Sequence, residues 1–130
     1  MKQIFCLITI LIISCQGYIS AQEKDKSVSI EVEADSVDYE LIIIDSGFES
    51  WLAMQKPAEF YSNDYYQSWN QRYVNEWNAL YSSGMDRHPE IESYIDYRPG
   101  TVYDIDLNYR LYYYFLFFEK KNSITLIHRR

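Results

Sequence analysis

Apolar and polar residues segregate into distinct stretches along the chain, and the spacing within each stretch predicts a different element. Ile4 to Ile13 is apolar apart from Thr9. Residues 16–38 mix Gln, Glu, Lys, Asp and Ser with scattered apolar positions and read as a flexible tether. Within them Val28, Ile30 and Val32 alternate with Ser29 and Glu31, the period of a short edge strand. Tyr39 to Asp45 is a β-branched run bounded by Ser46-Gly47, which predicts a buried strand. Phe48 to Gln55 predicts a short helix ending at Lys56-Pro57, because proline disfavours the α conformation in the residue before it. Ser62 or Asn63 is a good N-cap for a long helix over 63–82, closed by Ser82-Ser83-Gly84. Residues 91–97 follow no single period.

Residues 107–121 are the most apolar segment of the mature chain and predict a second helix. Asp104 and Asp106 at its start and Lys120-Lys121 at its end match the helix dipole, and Asn122 suits the residue just beyond it. Apolar side chains cover nearly its whole circumference, so it is expected at the centre of the domain. The competing reading is a core strand, since Tyr and Phe also favour β structure. Ile124 to Ile127 suggests a last strand, paired with residues 39–45. The expected fold class is therefore α+β: a small single domain in which an aromatic-rich central helix and one long amphipathic helix pack with a short two-stranded sheet. Its expected limits are residues 39–130.

Six Phe, three Trp and fourteen Tyr make aromatic residues the distinctive feature of the composition. At about 100° per residue, one half of the 63–82 helix carries Tyr65, Tyr66, Trp69, Tyr73, Val74, Trp77, Leu80 and Tyr81. Two polar residues interrupt that half: Glu76 between Tyr65 and Trp69, and Asn70 between Trp77 and Tyr81. Trp69, Asn70, Tyr73, Glu76 and Trp77 are thus the candidate binding residues. A carboxylate among rings could be an acid with a raised pKa or a sugar contact. The simpler account pairs Glu76 with Arg72 at i,i+4. Glycoside hydrolysis would need a second carboxylate at about 5–9.5 Å. Asp45, Asp96, Asp104 and Asp106 are all candidates, and nothing in the sequence selects among them. Asp104-Ile105-Asp106 also has the form of a metal-binding Asp-x-Asp, although helix capping explains both acids more simply.

The N-terminus changes the picture of where the domain works. Lys2 followed by the short apolar run is a secretory signal, and the run is too short to cross a bilayer, which takes about 20 apolar residues. Ile12-Ile13-Ser14-Cys15 resembles a lipobox, which makes residues 1–14 the signal and Cys15 the lipid-bearing first residue of a tether over 15–38. The competing cleavage follows Ala21 and would release a periplasmic or secreted protein. Cys6 falls inside the signal, so the processed chain retains one cysteine and has no internal disulfide. Asp35-Ser36-Val37 has the form of an O-glycosylation acceptor, with Ser36 as the modified residue.

Charge and the remaining residue types narrow the function classes. The formal charge is −7, and cleavage before Cys15 removes one lysine and no acid. Such a chain is repelled by phosphate backbones, and its basic residues cluster only at Arg129-Arg130, so nucleic acid is not an expected partner. His88 and His128 have no partners at metal-ligand spacing, and four glycines form no phosphate loop, so neither metal nor cofactor is expected.

The strings Tyr39-Glu-Leu-Ile-Ile-Ile-Asp-Ser-Gly-Phe-Glu-Ser-Trp-Leu52, Gln55-Lys-Pro57, Arg72-Tyr-Val-Asn-Glu-Trp-Asn78 and Leu107 to Lys121 resemble an uncharacterised family of small exported bacterial proteins. Its members are typically lipoproteins of Bacteroidetes-type bacteria. The resemblance covers residues 39–121 and implies no activity or catalytic residue. It does imply lipidation at Cys15. The expectation is an envelope protein, anchored by lipid in the outer membrane, with a binding or structural role toward a glycan or an envelope protein. A small glycan hydrolase using Glu76 is the alternative.

Overall fold

A computed structural model describes residues 27–32, 39–84 and 87–129. The signal, Cys15, Ala21 and Ser36 lie outside the described residues. Two strands, β1 (Ser27–Val32) and β2 (Tyr39–Ile44), pair antiparallel with Val28 opposite Ile43 and Val32 opposite Tyr39. This register puts Val28, Ile30, Tyr39, Leu41 and Ile43 on the face that meets the core. Three helices follow: α1 (Phe48–Leu52), α2 (Asn63–Ser82) and α3 (Ile105–Asn122), with a 3₁₀ turn at Ala58–Phe60. The protein is a small α+β domain.

The long helices start where side-chain caps allow. Ser62 Oγ accepts from the Tyr65 amide at 3.1 Å, and Asp104 Oδ1 accepts from the Leu107 amide at 2.7 Å, each satisfying a donor that the first turn leaves free. Ser123 caps the end of α3 with a left-handed φ of 54°, and the Ile124 amide closes onto the Glu119 carbonyl at 3.1 Å. Asn122, expected just beyond the helix, is its last residue.

α3 is the central element and touches α2, α1, β2 and the 3₁₀ turn. Leu111, Tyr112, Tyr113, Tyr114, Phe115, Phe117 and Phe118 are all buried, which accounts for apolar side chains around its full girth. Against α2, Tyr73 stacks on Phe115 with ring centroids 4.9 Å apart, and Trp77 meets Phe118 edge-on at 4.7 Å.

Residues 91–97, for which the sequence suggests no element, are an irregular segment docked by polar contacts. Asn78 brackets Ile95, donating to its carbonyl at 2.8 Å and accepting from its amide at 2.9 Å. Trp77 Nε1 donates to the Ser93 carbonyl at 2.7 Å. Ser93 Oγ in turn donates to the Val28 carbonyl at 2.9 Å, so this loop ties α2 to the outer edge of β1.

The short edge strand that Val28, Ile30 and Val32 suggest is β1, which buries Val28 completely. Two expectations are corrected. Ile124–Ile127 is no strand: the Glu119 carboxylate accepts from the amides of Leu126 at 2.8 Å and Ile127 at 3.2 Å, taking the donors that a ladder would need. β2 pairs with β1 instead. The first helix stops at Leu52, three residues before Gln55, whose side chain bonds back to the Trp51 carbonyl.

Candidate functional site

The apolar half of α2 divides into a covered and an uncovered part. Asn70 and Tyr73 are fully buried and Trp77 is 1 % exposed, all facing α3, so three of the five candidate residues serve the helix interface. Trp69 is half-buried at its rim, and Glu76 is exposed. Glu76 makes no ion pair with Arg72 among the described residues. The Arg72 guanidinium lies over the Trp69 ring instead, 5.0 Å from its centroid. Two causes act together: an Arg preceding Glu at i,i+4 is the weaker order of that pair, and the indole face offers the cation an alternative.

Asn70 belongs to a buried polar network. Its Nδ2 donates to the Asn108 carbonyl at 2.8 Å and to Asn108 Oδ1 at 3.3 Å. Asn108 Oδ1 also accepts from the Tyr97 hydroxyl at 2.8 Å, while Asn108 Nδ2 donates to Asn63 Oδ1 at 2.7 Å. Asn63 Nδ2 continues to the Tyr103 carbonyl at 3.0 Å. The network registers α2 against α3 and the segment before it. Burial pushes the Tyr97 hydroxyl well above the ordinary phenol range, which keeps it a donor.

Of the four acids considered as partners for Glu76, three are engaged elsewhere and the fourth lines a cleft that does not include Glu76. Asp45, its side chain 2 % exposed, is ion-paired with Lys121. Asp96 is held below the usual carboxylate range by its hydrogen bond and 2.7 Å ion pair with Arg98. Asp104 caps α3, as its position suggests. Asp106 lines a polar cleft of about 500 Å³ with Glu40 and Arg110, and Arg110 is paired with Glu49. Among the described residues no cluster of three or more His, Cys, Asp or Glu could hold a metal ion.

At the rim that α3 only partly covers lies a row of rings. The 3₁₀ turn presents Phe60, and Tyr61 packs edge-on against it with centroids 4.7 Å apart. Tyr61 stacks on Tyr65 at 4.1 Å, and Trp69 follows at 6.5 Å. Tyr65 and Trp69 are one turn apart on α2, and Tyr61, in extended backbone just before the Ser62 cap, folds onto the first of them. Phe60 is exposed, and the other three are half-buried. Beside the row lie two adjoining clefts of about 340 and 480 Å³ that share Asp64, Ser68 and Arg72. Tyr65 and Trp69 wall the smaller, and Gln67, Gln71 and the Pro99-Gly100 turn wall the larger.

Cations mark both ends of the row. Lys56 Nζ stands 3.7 Å over the Phe60 ring. Arg129 stacks on Trp69 at 4.3 Å and donates to the hydroxyls of Tyr73 at 3.0 Å and Tyr112 at 2.9 Å. Burial raises the Tyr73 and Tyr112 hydroxyls above their ordinary range against the opposing pull of Arg129. Tyr61, Phe60 and Arg129 are absent from the residues proposed on sequence grounds. The step of four from 61 to 69 is legible, but a wheel confined to residues 63–82 does not reach the ring before the cap.

The model of a family described as of unknown function, DUF6146, matches residues 3–128. No curated protein and no solved structure matches the chain.

Proposed function

This chain belongs to DUF6146, a family of unknown function, and we propose that it is an exported, lipid-anchored envelope protein whose domain binds glycans along the Tyr61–Tyr65–Trp69 row. The observation that carries the reading is the pairing of that row with two clefts sharing Asp64, Ser68 and Arg72. A sugar presents an apolar C–H face and a rim of hydroxyls. The parts of these half-buried rings left open by their mutual stacking and by Arg72 and Arg129 meet the first, and Ser68, Gln67 and Gln71 alongside supply donors and acceptors for the second. Rings fixed by packing lose little conformational entropy when they bind.

Binding of a glycan panel by the intact chain tests the reading. Trp69→Ala is expected to weaken binding roughly tenfold or more, the scale of losing a central aromatic contact. Glu76→Gln should leave binding unchanged, because Glu76 lies outside both clefts and the row. Folded Trp69→Ala protein with undiminished affinity would sink the proposal.

Export rests on the apolar run from Ile4 to Ile13 ending at Ser14-Cys15, and the family match reaching back to residue 3 includes it. Lipid on Cys15 places the domain at the envelope, with the outer membrane as its site. Cells given labelled palmitate should label the wild-type chain and not Cys15→Ala. A mature soluble protein beginning at Gln22 would contradict the anchor.

A further inference from the structure

The charges around the ring row specify the ligand further, and we infer that the glycan is anionic, its carboxylates meeting Arg72 and Arg129 while its rings lie along Tyr61, Tyr65 and Trp69. This rests on the glycan reading above.

The chain carries seven more acids than bases, so a cation on its surface has carboxylates to spare. Among the described residues the ion pairs are Asp96–Arg98, Glu49–Arg110 and Asp45–Lys121, and none involves the row. Lys56, Arg72 and Arg129 are each held over a ring instead. Arg129 makes its hydrogen bonds to phenols, and Glu119 reaches it only through the Tyr73 hydroxyl, which donates to Glu119 at 3.4 Å. A guanidinium stacked on a ring keeps in-plane N–H groups for a carboxylate, in the fork geometry that suits two oxygens.

Opposing acids are few. Asp64 lines both clefts in the first turn of α2, where it favours the helix dipole, and Glu59 sits in the 3₁₀ turn beside Phe60. Glu119, linked to Arg129 through the Tyr73 hydroxyl, is a third, so among the described residues the row's three cations match its acids on a protein that is otherwise negative. A neutral sugar would gain nothing from that arrangement. An acidic one would gain where Arg72 and Arg129 both lie over Trp69.

Polygalacturonate oligomers and their fully methyl-esterified form share one backbone and differ in charge. Polyglutamate of similar length has the charge without sugar rings. These three would be titrated against the purified full-length chain, lipidated and held in non-ionic detergent. The expected result is binding of polygalacturonate, weakened by added salt, with the ester at least about tenfold weaker. Arg72→Gln, an exposed change that spares the core, should weaken the acid roughly tenfold and the ester by a clearly smaller factor. Equal affinity for acid and ester would overturn the charge inference and leave the glycan reading standing. Polyglutamate binding as tightly as polygalacturonate would overturn both, making the row a site for an acidic peptide. Failure of both sugar polymers to bind, with other glycans bound in a Trp69-dependent way, would overturn the charge inference alone.

Discussion

Phe118→Ala is expected to lower the unfolding free energy by about 3–5 kcal/mol, the cost of removing a buried ring and leaving a cavity. Phe118 is 2 % exposed and lies edge-on to Trp77, with Tyr114 beyond it. The site cannot collapse easily. Trp77 is fixed from its other end by the Ser93 carbonyl, so it cannot swing into the space. A domain of this size has about 5–15 kcal/mol of stability, so urea denaturation should show a large fall in midpoint with little change in slope. A loss below about 1 kcal/mol would mean that α3 is not the element on which the core is built.

Asn108→Ala should cost roughly 2–5 kcal/mol for a different reason. Asn108 is fully buried, and truncating it strands the Tyr97 hydroxyl and Asn63 Oδ1, each of which costs about 1–3 kcal/mol when left unpaired away from water. Asn70→Ala is the informative control. Asn70 Oδ1 has no hydrogen-bond partner among the described residues, so its removal offsets part of the bonds lost from Nδ2. The account therefore orders the two variants, with Asn108→Ala the more damaging, and chemical denaturation of both would check it. Equal losses would mean that the amides act only as packing volume.

Much of the fold is legible where the determinants are local. Ser62 and Asp104 mark their helix starts through bonds to amides three residues on, so capping chemistry alone places both ends. The apolar girth of residues 107–121 likewise signals a helix packed on all sides. Pairing in the sheet is not local. The outer edge of β1 is satisfied by Ser93, sixty-five residues away in sequence, and no pattern within residues 16–38 contains that information. The C-terminal segment has the β-branched content of a strand, but a single carboxylate on the preceding helix captures its amides.

The residue types of the candidate site are legible in the sequence, and its location is not. A helical wheel tells which half of α2 is apolar. It does not tell which part of that half another helix covers, and α3 covers Asn70, Tyr73 and Trp77 while leaving Trp69 at the rim. Glu76 looks enclosed by rings on a wheel because Tyr65 and Trp69 flank its angle, but α3 does not pack over that side. Arg129, fifty-six residues from Tyr73, joins the site only through the folded-back C-terminus.

The three tryptophans make the central claim measurable within one sample. Trp77 is buried with its indole N–H bonded to Ser93, Trp51 packs against Tyr113 and Phe117, and Trp69 stands in the ring row. Their indole N–H resonances can be followed by two-dimensional NMR as polygalacturonate oligomers are added. The account predicts that the Trp69 resonance moves in a saturable way while those of Trp51 and Trp77 stay in place. Saturable movement of Trp51 without Trp69, or no movement of Trp69 at saturating ligand, would contradict it.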